Sequence, residues 1–322
     1  MSFLVTGGAG YIGSHVVHAF GEAGLDAVVL DDLSTGHTSF VPAGVPLIEG
    51  TILDTDLLRR TISEHGVTGV VHLAGFKYAG VSVSRPLHTY EQNVTGTASV
   101  LSAMASEGVD NIVFSSSAAV YGTPDVDIVT EETPTSPQSP YGESKLIGEW
   151  LLRDQATATG LRHTSVRYFN VVGSAVDWLY DTSPHNLFPL VIEALEAGRT
   201  PHINGDDYNT PDGTCVRDYV HVGDLAISHV AAARALQDGR PLEPAYNLGS
   251  GEGVSVREIM TAFATVTGND FEPAVAPRRP GDPDRIVTSG AKAAKDLDWK
   301  MRHSLTEMVR SAYQARQLAQ SS

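Results

Sequence analysis

A short β-prone run, residues 2–6, breaks into glycines and then into a segment with helical spacing. Gly7, Gly10 and Gly13 follow that run as G-x-x-G-x-x-G, and Gly8, Gly10 and Gly13 also satisfy G-x-G-x-x-G. Glycines in this position permit a tight turn and let the backbone approach a pyrophosphate, which then rests on the amino end of the next helix. A glycine triplet alone also fits any strand–turn–helix connection. Its context narrows the reading. A second apolar run, 27–30, ends at Asp31, about where an acid would accept hydrogen bonds from ribose hydroxyls and repel a 2′-phosphate. The pair of features predicts a dinucleotide site for NAD rather than NADP.

The alternation continues. Apolar runs at 47–48, 69–73, 111–115 and 164–167 are separated by helix candidates at 14–23, 56–64, 89–106 and 140–159. Repeated strand–helix alternation predicts an α/β fold, a doubly wound parallel Rossmann sheet covered by helices on both faces. The pattern breaks after Asn170. Residues 173–184 and 205–213 read as loops, and 273–283 holds four prolines around two arginines. We therefore expect an NAD-binding Rossmann domain over 1–172, with a returning segment near 215–248, and a smaller, loop-rich substrate domain over 173–322.

Composition sets limits on partners. The net charge is −16 over 322 residues, which argues against nucleic acid or an anionic membrane. A single cysteine, Cys215, cannot form an intrachain disulfide and fits a reducing compartment, and neither a leader nor an apolar run long enough to span a membrane is evident. These features predict a cytoplasmic protein. The 12 histidines are scattered, with no H-E-x-x-H and no cysteine cluster, so no metal site is expected.

Tyr141 and Lys145 stand four apart at the start of a predicted helix and so share a face. An ammonium beside a phenol stabilises the phenolate, and an oxidised nicotinamide adds a second positive charge. The expected outcome is a tyrosine able to act as general base near neutral pH. Upstream, Ser115, Ser116 and Ser117 end a predicted strand, at the edge where such sheets bind ligands. A serine there can relay a proton between a sugar hydroxyl and the phenolate.

Taken in order, Thr6-Gly7-Gly8-Ala9-Gly10-Tyr11-Ile12-Gly13-Ser14-His15, Leu30-Asp31-Asp32-Leu33-Ser34, Ser115 to Gly122, Tyr141-Gly142-Glu143-Ser144-Lys145 and Arg167-Tyr168-Phe169-Asn170 resemble the UDP-glucose 4-epimerases of the extended short-chain dehydrogenase/reductase family. Asn186-Leu187, the run from Asp212 to His221 and the run from Pro277 to Asp282 extend the resemblance over nearly the whole chain. It implies Ser117, Tyr141 and Lys145 as the catalytic set. It implies cofactor contacts at Tyr11, Ile12, Asp31, Asp32, Thr51, Ile52, Leu73, Ala74, Gly75, Lys77, Asn93, Ser115 and Phe169, beside the glycine loop and the Tyr141–Lys145 pair. It implies substrate contacts at Lys77, Ser117, Tyr141, Asn170, Asn186, Leu187, Arg217, Arg279, Asp282 and Ile286. Arg217 and Arg279 suit a diphosphate because a guanidinium is a planar fork of donors. Departures from the family pattern are Thr51, where an Asp commonly meets adenine, and Asn204, where an aromatic often lies near the uracil.

The implied activity is interconversion of UDP-glucose and UDP-galactose through a 4-keto sugar, with NAD reduced and reoxidised in each cycle. Ile286 stands where a Tyr narrows the sugar pocket in some relatives, so N-acetylated UDP-hexosamines are an expected additional substrate. The resemblance also implies a homodimer through the helices of 89–106 and 140–159, with Val94, Ala98, Leu101, Ala105, Leu146, Trp150 and Leu151 as interface candidates. Alternatives remain at this level. A 4,6-dehydratase would need an acid–base pair after the position of Ser117, where Ala118 and Ala119 stand. A uronate epimerase or decarboxylase would need a further cation. A non-catalytic NAD(H)-binding regulator would be expected to lack Tyr141 or Lys145.

Overall fold

The computed structural model describes residues 2–279 and 282–321. Seven strands form one sheet in the order Ala245–Leu248, Arg162–Tyr168, Asn111–Ser115, Val67–His72, Ser2–Thr6, Asp26–Asp31, Leu47–Glu49, and every pairing is parallel. The strand order reverses beside Ser2–Thr6, and the crevice outside such a reversal is where open α/β sheets take ligands.

Alternation along the strands explains the layers. Phe3 and Val5 face one side and pack with Val16, Phe20 and Val29, under the helices Tyr11–Glu22 and Val222–Gln237. Leu4 faces the other side and joins Val28, Leu58, Ile62, Val100, Met104 and Phe114, under the helices Thr55–Glu64, Gly96–Glu107 and Pro140–Thr159. Both faces are apolar because both are covered. A separate cluster of Val172, Phe188, Ile192, Tyr219, Phe263 and Val309 supports the remaining small sheets. Among the described residues no helix is long and apolar enough to cross a membrane.

One difference from the sequence expectations affects the site. The helix expected over 89–106 is broken into Pro86–Tyr90, a π-helical turn at Glu91–Thr95 and Gly96–Glu107. A Cβ on Gly96 would lie 2.4 Å from Cδ1 of Ile52, so the backbone passes close to that buried side chain just after the turn. The seventh strand, Ala245–Leu248, returns from far along the chain to pair with Arg162–Tyr168. The helix over 140–159 has the expected limits. Ser139 caps it by accepting a hydrogen bond from the Gly142 amide at 3.2 Å, and Pro140 opens its first turn.

Candidate active site

The glycine loop joins Ser2–Thr6 to the helix Tyr11–Glu22. Gly7 has φ +72°, and a Cβ there would meet the Ala74 amide nitrogen at 2.8 Å. A Cβ on Gly13 would lie 2.1 Å from the Gly7 carbonyl oxygen. Both close approaches seat the helix amino end against the sheet edge. Gly10 is the N-cap and brings no side-chain acceptor, so the first-turn amides are offered outward. Asp31 ends its strand and accepts hydrogen bonds from the amides of Ala9 and Leu33, each at 2.9 Å. Burial raises its pKa, against the pull of those two amides. Its neighbour Asp32 is exposed and accepts from Ser34.

Several expected cofactor contacts carry structural bonds of their own. The Tyr11 hydroxyl donates to the Gly173 carbonyl at 2.6 Å. Ile12 packs partly against the core, and Ile52 is buried in it. Thr51 accepts from the Leu53 amide at 3.2 Å. Leu73 and Ala74 follow the strand Val67–His72, with the Leu73 amide donating to the Thr6 carbonyl at 3.1 Å. Gly75 has φ +145°. Asn93, in the π turn, accepts from the Phe76 amide at 2.6 Å, donates to the Phe76 carbonyl at 3.0 Å and donates to Ser144 at 2.8 Å. Its amide therefore ties the loop after the fourth strand to the helix of Tyr141. Lys77 is exposed at the end of that loop. Burial of its ammonium lowers its pKa, while the charges of Asp181 and Asp31 act the other way.

Ser117 leaves the strand Asn111–Ser115 and caps a short 3-10 turn, accepting from the Ala119 amide at 3.2 Å. Gly142 lets the helix of Tyr141 approach that turn, because a Cβ there would lie 2.5 Å from the Ala119 carbonyl oxygen. The Lys145 ammonium donates to the Ser115 carbonyl at 2.9 Å and lies 5.9 Å from the centre of the Tyr141 ring. Burial brings Lys145 down to about 8. Burial also holds the Tyr141 phenol above its ordinary value, and a hydrogen bond with Ser117 pulls it down. Desolvation and the Ser117 contact thus act on the phenol in opposite directions.

On the substrate side, the Asn170 side chain donates to the Asp218 carbonyl at 3.0 Å. Asn186 precedes the helix Leu187–Glu196 and donates to Asp181 at 2.7 Å. Arg217 lies 3.5 Å from Asp282, and Ile286 pairs with Arg217 across parallel strands. Ile286 and Phe169 pack beside Val120, Tyr121 and Leu146, on the side of the Ser117 turn. Arg279 is exposed, and its neighbours Pro280 and Gly281 in the motif lie outside the described residues. Two side chains went unremarked in the sequence. The Tyr168 hydroxyl is hydrogen-bonded to Ser115, and Asp181 accepts from both Asn186 and the Ser183 amide. A tyrosine inside the Arg167–Asn170 motif was a usable signal for the first, whereas Asp181 sits in a loop without a pattern. Among the described residues no group of three or more His, Cys, Asp or Glu is placed to hold a metal ion.

Residues 3–249 match the model of the NAD dependent epimerase/dehydratase family. The UDP-glucose 4-epimerase of Azospirillum brasilense is 44% identical over 315 residues, covering 96% of this chain and 90% of its own. That of Corynebacterium glutamicum is 42% identical over 317 residues, covering 97% and 95%. The crystal structure of UDP-glucose 4-epimerase from Brucella ovis in complex with NAD superposes with a TM-score of 0.93 at 40% identity, over 97% of each chain. With the glycine loop, the acid at Asp31 and the Ser–Tyr–Lys convergence all in place, the chain belongs to the NAD dependent epimerase/dehydratase family.

Proposed function

We propose that the protein interconverts UDP-glucose and UDP-galactose by inverting the sugar C4. The observation that carries this is the placement of Ser117, Tyr141 and Lys145 together at the carboxyl edge of the sheet, on the same edge as the glycine loop. The cofactor is NAD, which the glycine-loop amides and the Asp31 carboxylate would hold and which would supply an acceptor and donor for the hydride of the sugar C4. Tyr141, as phenolate, takes the proton of the 4-hydroxyl, directly or through Ser117. Lys145 holds the Ser115 carbonyl and keeps a positive charge near the phenol. The resulting 4-keto sugar turns about its link to the diphosphate, and Tyr141 returns the proton on the other face. Firm grip on the nucleotide and loose grip on the sugar are both required, so binding energy comes from the part that does not react. We assign the nucleotide diphosphate to Asn170, Asn186, Leu187, Arg217, Arg279 and Asp282. In this reading residues 1–172, with the segment near 215–248, serve the cofactor, and 173–322 serve the sugar nucleotide. The compartment assigned is the cytoplasm. Incubation with UDP-galactose should yield UDP-glucose without added NAD. Absence of interconversion with NAD supplied would refute the assignment.

Pocket width depends on Ile286. It packs with Phe169 by the Ser117 turn, where an aromatic ring would project into the space a rotating sugar sweeps. We expect wild type to epimerise UDP-GlcNAc as well as UDP-glucose, and Ile286→Tyr to lose the first activity at least about tenfold more than the second. Comparing kcat/KM for the two substrates in both proteins checks this. No UDP-GlcNAc turnover in wild type would sink it.

A homodimer is the proposed assembly. Helices Gly96–Glu107 and Pro140–Thr159 expose Ala98, Ala105 and Trp150, and Val83 and Leu87 are exposed just before them. Leu101 and Leu146 are buried in the protomer's own core and drop out as interface candidates. Light scattering at micromolar concentration should give twice the chain mass, and a monomer mass would count against it.

A further inference from the structure

The helix of Tyr141 and Lys145 carries a third side chain on the same face, Glu149. These three residues, four apart, meet three consecutive residues of the strand exit. Lys145 donates to the carbonyl of Ser115 at 2.9 Å. Glu149 accepts from the hydroxyl of Ser116 at 2.5 Å. Ser117 acts on Tyr141, drawing the phenol's pKa down against the effect of burial. Glu149 is in turn held from behind. Arg167 donates to it bidentately, Nε to Oε1 at 2.8 Å and Nη2 to Oε2 at 2.5 Å. The same guanidinium donates from Nη1 to the Tyr121 hydroxyl at 2.7 Å, and that hydroxyl donates to Asn247 at 2.8 Å. Ser116 is fully buried, and the charged side chains are about one-tenth exposed.

A buried ion pair is a poor choice for stability alone, because desolvation offsets most of its attraction and apolar residues of similar volume often do as well. What it supplies is direction. A bidentate guanidinium fixes the plane of a carboxylate, and the fixed carboxylate fixes the rotamer of Ser116. We propose that Glu149, oriented by Arg167, is a positioning residue that sets the register between this helix and Ser115–Ser117, so that the Ser117 hydroxyl faces the Tyr141 phenol. The idea rests on the epimerase reading for its catalytic consequence, though not for its geometry. Without the Glu149–Ser116 contact the middle residue of the grip is free to rotate, and its neighbour Ser117 moves relative to the phenol. Misplacement of reacting groups by about 1 Å can cost on the order of 100-fold in rate.

The test uses Ser116→Ala, which leaves the ion pair intact and so folds, together with Glu149→Gln. For each, kcat, KM, bound NAD and the acid limb of the pH–rate profile are measured on the full-length protein. The phenol of Tyr141 is also titrated directly, as the tyrosinate absorbance lost when Tyr141→Phe is added to the same background. Ser116→Ala should lower kcat about tenfold or more at unchanged KM and unchanged NAD content. Because the Ser117 hydrogen bond favours the phenolate, weakening it should move the titration and the acid limb upward in pH. Ser116→Thr, which restores the hydroxyl, should recover most of the loss. A wild-type kcat and titration in Ser116→Ala would overturn the proposal. So would a rate loss that only follows lost NAD or lost stability, with the titration unmoved. The titration is informative even if wild type fails to epimerise UDP-galactose, so failure of the functional reading and failure of this inference are told apart.

Discussion

Tyr141→Phe should reduce epimerisation at least about 100-fold, the usual loss for a general base, while NAD stays bound. Only the hydroxyl is removed. The backbone at this position is held by other groups: its amide donates to the Ser82 hydroxyl at 3.1 Å, and its carbonyl accepts from the Ser144 hydroxyl at 2.7 Å. Those bonds keep the helix start in place, and neither the glycine loop nor Asp31 is touched. A second tyrosine stands nearby but cannot substitute. Tyr168 gives its hydroxyl to Ser115, and burial followed by the charge of Tyr141 holds its pKa far above the ordinary phenol range. Steady-state turnover with a count of bound NAD decides the matter. More than about a tenth of wild-type activity in the variant would remove Tyr141 from the role of base.

Acid should unfold the protein sharply near pH 5. His15, His72, His221 and His229 are each at most 1% exposed. Burial is the first cause in every case, and it lowers His15, His221 and His229 from 6.5 to about 4 and His72 to about 3. A further push on His72 comes from Lys145, and on His221 from its stacked neighbour His303, with ring centres 3.7 Å apart. For a histidine whose folded pKa is depressed, the stability is whole above the unfolded pKa. It is lost as pH falls from 6.5 toward the folded value, because only the unfolded chain takes up the proton. One pKa unit corresponds to about 1.4 kcal/mol, so each of the four withdraws about 2 kcal/mol by pH 5. Together that is about 8 kcal/mol, comparable with the whole stability of an ordinary domain. Asp31, Asp181 and Asp218, raised mainly by burial, act in the opposite direction and return part of the loss at lower pH. Circular dichroism against pH should show one steep transition centred between about pH 4.5 and 5.5, with uptake of several protons. A native spectrum maintained at about pH 4 would contradict this reading of the buried histidines.

Much of the scaffold was legible because it follows from local rules. Strand–helix alternation marked a covered parallel sheet, and the helix expected over 140–159 has those limits in the structure. Spacing also brought Tyr141 and Lys145 onto one face. What the sequence hid depends on contacts between distant residues. Nothing in Glu91–Thr95 signals a π turn, since the run contains neither proline nor glycine, yet the turn is what aims Asn93 at Phe76 and Ser144. The burial of the Tyr141 phenol and the Lys145 ammonium was equally invisible, and it raises the one and lowers the other. Glu149 reads in sequence as an ordinary helix acid. Its partner Ser116 follows one strand and Arg167 lies in the next, and only the sheet order makes them neighbours.

The late return of the strand Ala245–Leu248 has a consequence for how the protein is made. Its partner Arg162–Tyr168 is synthesised about eighty residues earlier, and at about 5–20 residues per second the interval is several seconds. During that time the nascent sheet ends on an open strand edge, a template for pairing with other chains. The helix Val222–Gln237, which covers much of one sheet face, is also still to come. A chain stopped at residue 172 would keep both gaps permanently. Residues 1–172 therefore lack a strand and a covering helix of their own sheet, which is complete only when the polypeptide beyond Leu248 has cleared the ribosome.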